Sequence, residues 1–193
     1  MHTLEKEFRD SFGTIRHEAL RNLIAKIFDK FAPKNILLTP SSSSGKYHPQ
    51  DESGESGFYL HARRTAKIAD DLARAFELTP YDRDVLVGSA LIHDLFQYTD
   101  NPNKDVTREK IQTKTEHPVT LAEAIASPAE RFRERERLIS KVIRYHMGQW
   151  GPNETAKEWR EKVAQIDRED LLVILMHIAD YVASRRYIDI DIT

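Results

Sequence analysis

The chain has 193 residues, the expected size of a single domain. Its 29 Lys and Arg residues nearly balance 31 Asp and Glu residues, and the net charge of -2 argues against a nonspecific grip on nucleic acid. The absence of cysteine excludes disulfides, thiolate metal sites, iron–sulfur clusters and a cysteine nucleophile. No apolar run approaches the roughly 20 residues that span a bilayer, so we expect a cytoplasmic protein without a membrane partner.

Residues 1–38 begin with a helical pattern. Apolar residues recur every three or four positions from Leu4 to Phe31, which predicts one long amphipathic helix. We expect this helix to pack on the core by its apolar stripe.

Residues 39–58 are rich in Ser, Gly and Pro, and neither helical nor strand periodicity survives in them. Loops longer than about 12–15 residues in a compact domain are usually linkers or functional lids. Since a single helix precedes this loop, a lid is favoured over an interdomain linker.

Residues 59–187 read as a helical domain, followed by a tail at 188–193. The tail alternates Ile and Asp with period two, which favours at most a short edge strand. The region from Gln97 to Glu116 is polar and predicts a second surface loop. The predicted fold is therefore an all-α, single-domain helical bundle with long loops. Its helical segments are expected near 59–77, 81–96, 118–127, 134–147, 155–164 and 168–187.

Several polar residues fall on the apolar faces of these helices. His61 is in register with Ile68 and Leu72, and Asp180 shares a face with Val173 and Met176. Such side chains rarely point inward without a partner. The inward-facing set is His61, His93, Asp94, His146 and Asp180.

His117 precedes Pro118 and is expected at a helix N-terminus. A single inward histidine is more often a hydrogen-bonded core residue than a metal ligand. The carboxylate of Asp180 is harder to explain in this way, because neither sequence neighbour is a cation. Taken together, the nitrogen and oxygen donors favour one or two divalent transition-metal ions among Mn, Fe, Co, Ni and Zn.

The order His61, His93-Asp94, His117, His146, Asp180 resembles the HD-domain metal-dependent phosphohydrolases, over roughly residues 46–186. The strings SGKYHP, EHP, YHMGQW and HIADYVASR are similar to a bacterial and phage subgroup of that family. The resemblance implies an HD-type bundle. It implies that one metal is bound by His61, His93, Asp94 and Asp180, and a second by Asp94, His117 and His146.

Many HD enzymes continue the pair as His-Asp-x-Gly-Lys. In this chain the same stretch reads His93-Asp94-Leu95-Phe96-Gln97, so Gln97 replaces the lysine. Gln can hydrogen-bond a phosphoryl oxygen but supplies no positive charge. Another cation is therefore needed. Candidates are Lys46, Arg144 and Arg185, with Arg63 and Arg64 more consistent with solvated surface residues.

His48 lies in the predicted loop, where a proton-donating role and an inert exposed position are equally consistent with the sequence. The candidate catalytic residues are then Asp94, Lys46, His48, Arg144 and Arg185. Trp150 and its neighbour Tyr145 could stack a base, although packing is the simpler interpretation.

The predicted function is metal-dependent hydrolysis of a phosphoester in a nucleotide or similar small molecule through a metal-activated water. Two alternatives stay open: a di-iron oxygenase on the same ligand set, and a catalytically weak nucleotide-binding protein. The expected partner is a small phosphate-containing substrate, and a homo-oligomer stays open.

Overall fold

In the computed structural model, the residues described are 2–42, 46–99, 116–126, 134–188, 190 and 192. Eight α-helices and four short 3-10 turns occur in these segments, and the described residues contain no extended strand. The helices are α1 His2–Ser11, α2 Glu18–Phe31, α3 Gly57–Ala75, α4 Pro80–Ile92, α5 His117–Ile125, α6 Glu134–Arg144, α7 Asn153–Ala164 and α8 Arg168–Ala183. The all-α prediction is confirmed.

Helix α4 is the central element of the bundle. Every residue from Asp84 to Ile92 is buried, and α2, α3, α6 and α8 all pack against it. Local interactions fix where the helix starts. Pro80 occupies the first turn, and the Thr79 hydroxyl accepts a hydrogen bond from the backbone N–H of Asp82 at 3.2 Å. A helix buried on all sides places its C-terminal end, and the residues that follow, deep inside the domain.

The prediction of one helix from Leu4 to Phe31 is wrong, because the chain breaks between α1 and α2. Gly13 weakens helix formation, and the extended backbone at Ile15 buries that side chain completely. The break is also hydrogen-bonded to the core: the backbone N–H of His17 donates to the carboxylate of Asp84 at 2.6 Å. The apolar stripe is thus divided between two helices that pack on the same core.

Six further helices coincide with the six predicted segments to within four residues at each end. In the tail, residues 188, 190 and 192 are not in a strand, and Asp189 and Asp191 lie outside the described residues. Most of the predicted loop from Gln97 to Glu116 also lies outside them. Among the helices that the structure describes, none combines the length and apolar character needed to cross a bilayer.

Candidate metal centre

Five segments bring the predicted ligands to one place. His61 lies on α3, Asp180 lies near the end of α8, and His117 is the first residue of α5. His93 and Asp94 directly follow the buried helix α4, and His146 follows α6 by two residues. All except the partly exposed Asp180 are buried. The predicted convergence of the six side chains is therefore present in the structure.

The first group of potential ligands joins α3, α4 and α8. His61 Nε2 lies 3.1 Å from Asp180 Oδ1 and 3.8 Å from Asp94 Oδ2. His93 Nε2 lies 3.4 Å from Asp94 Oδ2 and 3.6 Å from Asp180 Oδ1. Ligand atoms about 2.0–2.2 Å from one ion lie at separations of this order from each other, so His61, His93 and Asp94 could hold a cation, with Asp180 close to both imidazoles.

The second group uses the other oxygen of Asp94. His117 Nε2 lies 2.9 Å from Asp94 Oδ1 and 3.2 Å from His146 Nε2, and His146 Nε2 is 3.4 Å from the same oxygen. Because Oδ1 faces this group while Oδ2 faces the first, Asp94 has the geometry of a bridging carboxylate. The two groups can hold one ion each.

Backbone contacts orient two of the imidazoles. His93 Nδ1 donates to the Ala90 carbonyl at 2.8 Å, and His146 Nδ1 donates to the Ile143 carbonyl at the same distance. Because Nδ1 is the donor, each ring directs Nε2 toward the centre, where the neutral form of the ring offers a lone pair. His93 Nε2 is buried and has no hydrogen-bond partner among the described residues. A cation at this position would supply the missing partner.

The electrostatics of the cluster also favour a cation. Burial alone would raise the pKa of Asp94 and Asp180, but the surrounding histidines outweigh burial and hold both pKa values well below the ordinary range. The pKa of His146 is lowered, chiefly by burial and despite its hydrogen bond to Asp94. The carboxylates are therefore ionised and His146 is neutral near pH 7, as metal ligands require, whereas neighbouring carboxylates raise the pKa of His61 and of His93 despite their burial.

Glu52 belongs to the site, although the sequence analysis did not select it. It lies in the 3-10 turn Gln50–Ser53 of the predicted loop, yet its carboxylate is 0% exposed. Glu52 Oε2 lies 3.3 Å from Nδ1 of His61 and accepts the His48 Nδ1 proton at 2.9 Å. Burial tends to raise the pKa of Glu52, but His48, His61 and Arg64 outweigh it and hold that pKa far below its usual range.

This arrangement is a carboxylate behind a potential metal ligand. Such carboxylates orient the imidazole ring and increase its basicity. The four-residue spacing of His48 and Glu52 is a weak sequence signal, because acidic residues are common in polar loops. Only the folded loop identifies Glu52 as part of the centre.

A cavity of about 200 Å³ opens onto the cluster. The described residues that line it are His48, His61, Asp94, Gln97, Tyr98, His117, His146, Met147, Asp180 and Ser184. The lining thus contains His48 but no Lys or Arg among the described residues. A larger cavity of about 540 Å³ beside α1 and α3 contains none of the predicted ligands.

The predicted cations lie away from this lining. Arg144 Nη1 is 3.5 Å from Glu123 Oε1 on the surface. Arg185 lies against Tyr181, with Cζ 4.0 Å from the ring centroid, and Lys46 lies over Tyr47. The structure therefore brings His48, but not Lys46, Arg144 or Arg185, to the cavity.

Gln97 and Tyr98 contact the loop instead of filling the position of a lysine. The Gln97 amide donates to the Ser41 carbonyl, and the Tyr98 hydroxyl donates to the Pro40 carbonyl. Ser41 in turn donates its backbone N–H to the Glu52 carbonyl at 2.9 Å. The turn after the His-Asp pair thus anchors the loop that carries Glu52.

A helical bundle with a largely buried cluster of four histidines and two aspartates from five segments is typical of helical domains that bind metal ions. The HD-domain family model matches residues 58–185, about two thirds of the chain, and the protein belongs to the HD-domain family. Its members are mostly metal-dependent hydrolases of the phosphohydrolase superfamily. No curated protein and no solved structure gives a significant match. The resemblance noted from the sequence is confirmed.

Proposed function

We propose that this HD-domain protein hydrolyses a phosphoester bond in a nucleotide or similar small molecule. The observation that carries the proposal is the pair of ligand groups that share Asp94 at the floor of the cavity. Family membership supports metal-dependent hydrolysis in general, and the small polar cavity favours a phosphoryl group as the part of the substrate that enters.

His61, His93, Asp94 and Asp180 would hold one ion, and Asp94, His117 and His146 a second. Divalent ions in such a site activate a water and neutralise the phosphoryl oxygens. The protein fixes the positions of both ligand groups through the backbone contacts of His93 and His146. Its contribution is a preorganised, largely buried site that needs little rearrangement when the substrate binds.

His48 is the proposed proton donor. Its Nδ1 proton is held by the ionised carboxylate of Glu52, which leaves Nε2 as the ring atom for the substrate. The residue lines the cavity, so a leaving-group oxygen can approach it there. His48 would give a proton from Nε2 to that oxygen, while the contact of Nδ1 with Glu52 holds the ring in place.

Metal content and activity test the proposal together. Purified protein should release phosphate or a phosphate monoester from nucleotides when loaded with Mn, Co or Ni, with or without oxygen. Asp94→Ala should lose metal from both groups, whereas His117→Ala should lose about one equivalent. His17→Ala serves as the control, since His17 is exposed and remote from the cluster.

Other results would select other functions. Normal metal content in Asp94→Ala would reject the bridging role, and unchanged content in His117→Ala would indicate a mononuclear site. Bound iron with an oxygen-dependent product would replace hydrolysis by oxygenase chemistry. Nucleotide binding without turnover by any metal-loaded form would replace it by a sensor function.

A further inference from the structure

Three aromatic rings and an arginine form a continuous stack on the surface beside the cavity. The rings of Trp150 and Tyr181 lie almost parallel, at 7° and with centroids 5.2 Å apart. Arg185 Cζ lies 4.0 Å from the Tyr181 centroid and 5.3 Å from the centroid of Tyr47. We call Trp150, Tyr181, Arg185 and Tyr47 the aromatic platform.

The platform is held in a fixed arrangement. Arg185 Nε donates to the Tyr181 carbonyl at 3.1 Å, and the Arg186 backbone N–H donates to the Tyr47 carbonyl at 2.8 Å. The second of these bonds joins the segment after α8 to the loop before His48. The aromatic surface is therefore positioned before any ligand arrives.

The other end of the platform is connected to the metal centre. Trp150 ends the 3-10 turn Gly148–Trp150, and its ring lies 5.3 Å from that of His177. Gly148 has φ of +55°, and a Cβ there would lie 2.6 Å from the His177 ring, so this close contact requires glycine. His177 Nδ1 donates to the His146 carbonyl at 2.9 Å.

The three rings of the platform are partly exposed to solvent, although Trp150 and Arg185 both lie against Tyr181. Trp150 is 50% exposed, Tyr47 52% and Tyr181 39%. Tyr47 directly precedes His48, Tyr181 directly follows Asp180 and Arg185 directly follows Ser184, so three members of the platform are chain neighbours of residues that line the cavity. Trp150 thus stacks on Tyr181 rather than on Tyr145, whose hydroxyl donates to Glu158 instead.

The size of the cavity indicates what binds beside it. About 200 Å³ is below the roughly 300–1,000 Å³ that small-molecule sites commonly provide. A phosphate and part of a sugar fit this volume, but a whole nucleotide extends beyond it. The remainder would extend beyond the lining, and the exposed groups that the described chain places next to His48, Asp180 and Ser184 are flat aromatic rings and a guanidinium.

We propose that the aromatic platform binds the base of a nucleotide whose phosphate lies at the metal centre. This inference rests on the proposed function, because the phosphate position is assumed from it. Stacking on an aromatic ring contributes about 1–3 kcal/mol of binding free energy per base, and any of the bases can stack in this way. The platform accordingly selects for nucleotides over base-free phosphate esters without strong choice among the bases.

The test uses the small tryptophan content of the chain. Only Trp150 and Trp159 are present, so Trp159→Phe leaves Trp150 as the single tryptophan emitter. Adenosine, AMP and ribose 5-phosphate are titrated into this variant with metal removed by a chelator. Adenosine and AMP should quench the Trp150 emission, and ribose 5-phosphate should not.

Substitutions then locate the binding site. Tyr181→Leu in the same background should weaken AMP binding about tenfold. Tyr187→Leu is the matched control, because Tyr187 is 85% exposed on the same segment and is not part of the stack. Circular dichroism of each variant confirms that the fold is retained.

The outcomes separate this inference from the proposed hydrolysis. Quenching by adenosine supports the platform even if no phosphoester is cleaved. Phosphate release from AMP with no quenching, or equal weakening by Tyr181→Leu and Tyr187→Leu, would overturn the platform and leave hydrolysis in place. A blue shift of Trp150 emission with protein concentration alone, matched by dimers in sedimentation, would assign this surface to a second copy instead.

Discussion

Replacing Glu52 by Gln tests how the loop contributes to metal binding. The change keeps the side-chain shape but removes the negative charge that faces His48, His61 and Arg64. It also places an amide N–H donor next to the N–H groups of His48, His61 and Arg64. We therefore expect weaker metal binding, although Glu52 is not itself one of the six predicted ligands.

The distance to His61 sets the magnitude. Two unit charges separated by the observed 3.3 Å attract by about 5 kcal/mol at an effective dielectric constant of about 20. A metal-bound imidazole carries only part of the ion's charge, so about a third to a half of this energy, roughly 1.5–2.5 kcal/mol, is at stake. That corresponds to a loss of about 10- to 100-fold in metal affinity.

Calorimetric titration with Mn²⁺ or Co²⁺, or competition against a chelator of known affinity, measures this loss. Asp51→Asn is the matched control, because Asp51 also pairs with Arg64 but is half exposed and contacts no predicted ligand. Urea unfolding in the presence of chelator separates a folding defect from a metal-binding defect. Equal metal affinity in Glu52→Gln and the wild type, with both folded, would refute the reasoning.

Two further substitutions test packing and pH dependence. Gly88→Ala should destabilise the protein by about 1 kcal/mol in urea melts, because the new Cβ would lie 2.9 Å from Ile24; Gly13→Ala, with no atom within 4 Å, should not. The ion pair with Arg137 lowers the pKa of Glu169 from 4.5 to about 2. The ion pair therefore contributes to the free energy of unfolding above about pH 4.5, and this contribution is lost as the pH falls through 2. Glu169→Gln should cost about 1 kcal/mol at neutral pH, a value reduced for solvent exposure, and the difference from wild type should vanish near pH 2.

Helix periodicity was sufficient for most of the fold. Six segments after residue 57 carry apolar residues at helical spacing, and the structure contains a helix at each. The same periodicity wrongly predicted a single helix at the N-terminus, because two helices that pack on one core can share a continuous apolar pattern. The break near Ile15 is held by a hydrogen bond from the backbone N–H of His17 to Asp84, which is distant in sequence.

The candidate site was predictable to the extent that helical faces reveal it. An inward-facing polar residue such as His61 or Asp180 conflicts with its apolar neighbours, and the conflict is visible in the sequence. Glu52 has no such signal, since its burial depends on the fold of an irregular loop. The positions of Lys46, Arg144 and Arg185 relative to the cavity were likewise beyond sequence reasoning, because long side chains can extend in several directions.

Gln97 connects these observations. A lysine at this position would be free to extend toward a phosphate, whereas the Gln97 amide donates to the Ser41 carbonyl. Ser41 contacts Glu52 through its backbone N–H and its hydroxyl, so the turn that carries Asp94 also fixes the loop that carries His48 and Glu52. The position that commonly supplies a cation here holds the loop in place. No Lys or Arg among the described residues lines the cavity, so in the proposed reaction the metal ions would neutralise the phosphoryl group and His48, held by Glu52, would donate the proton.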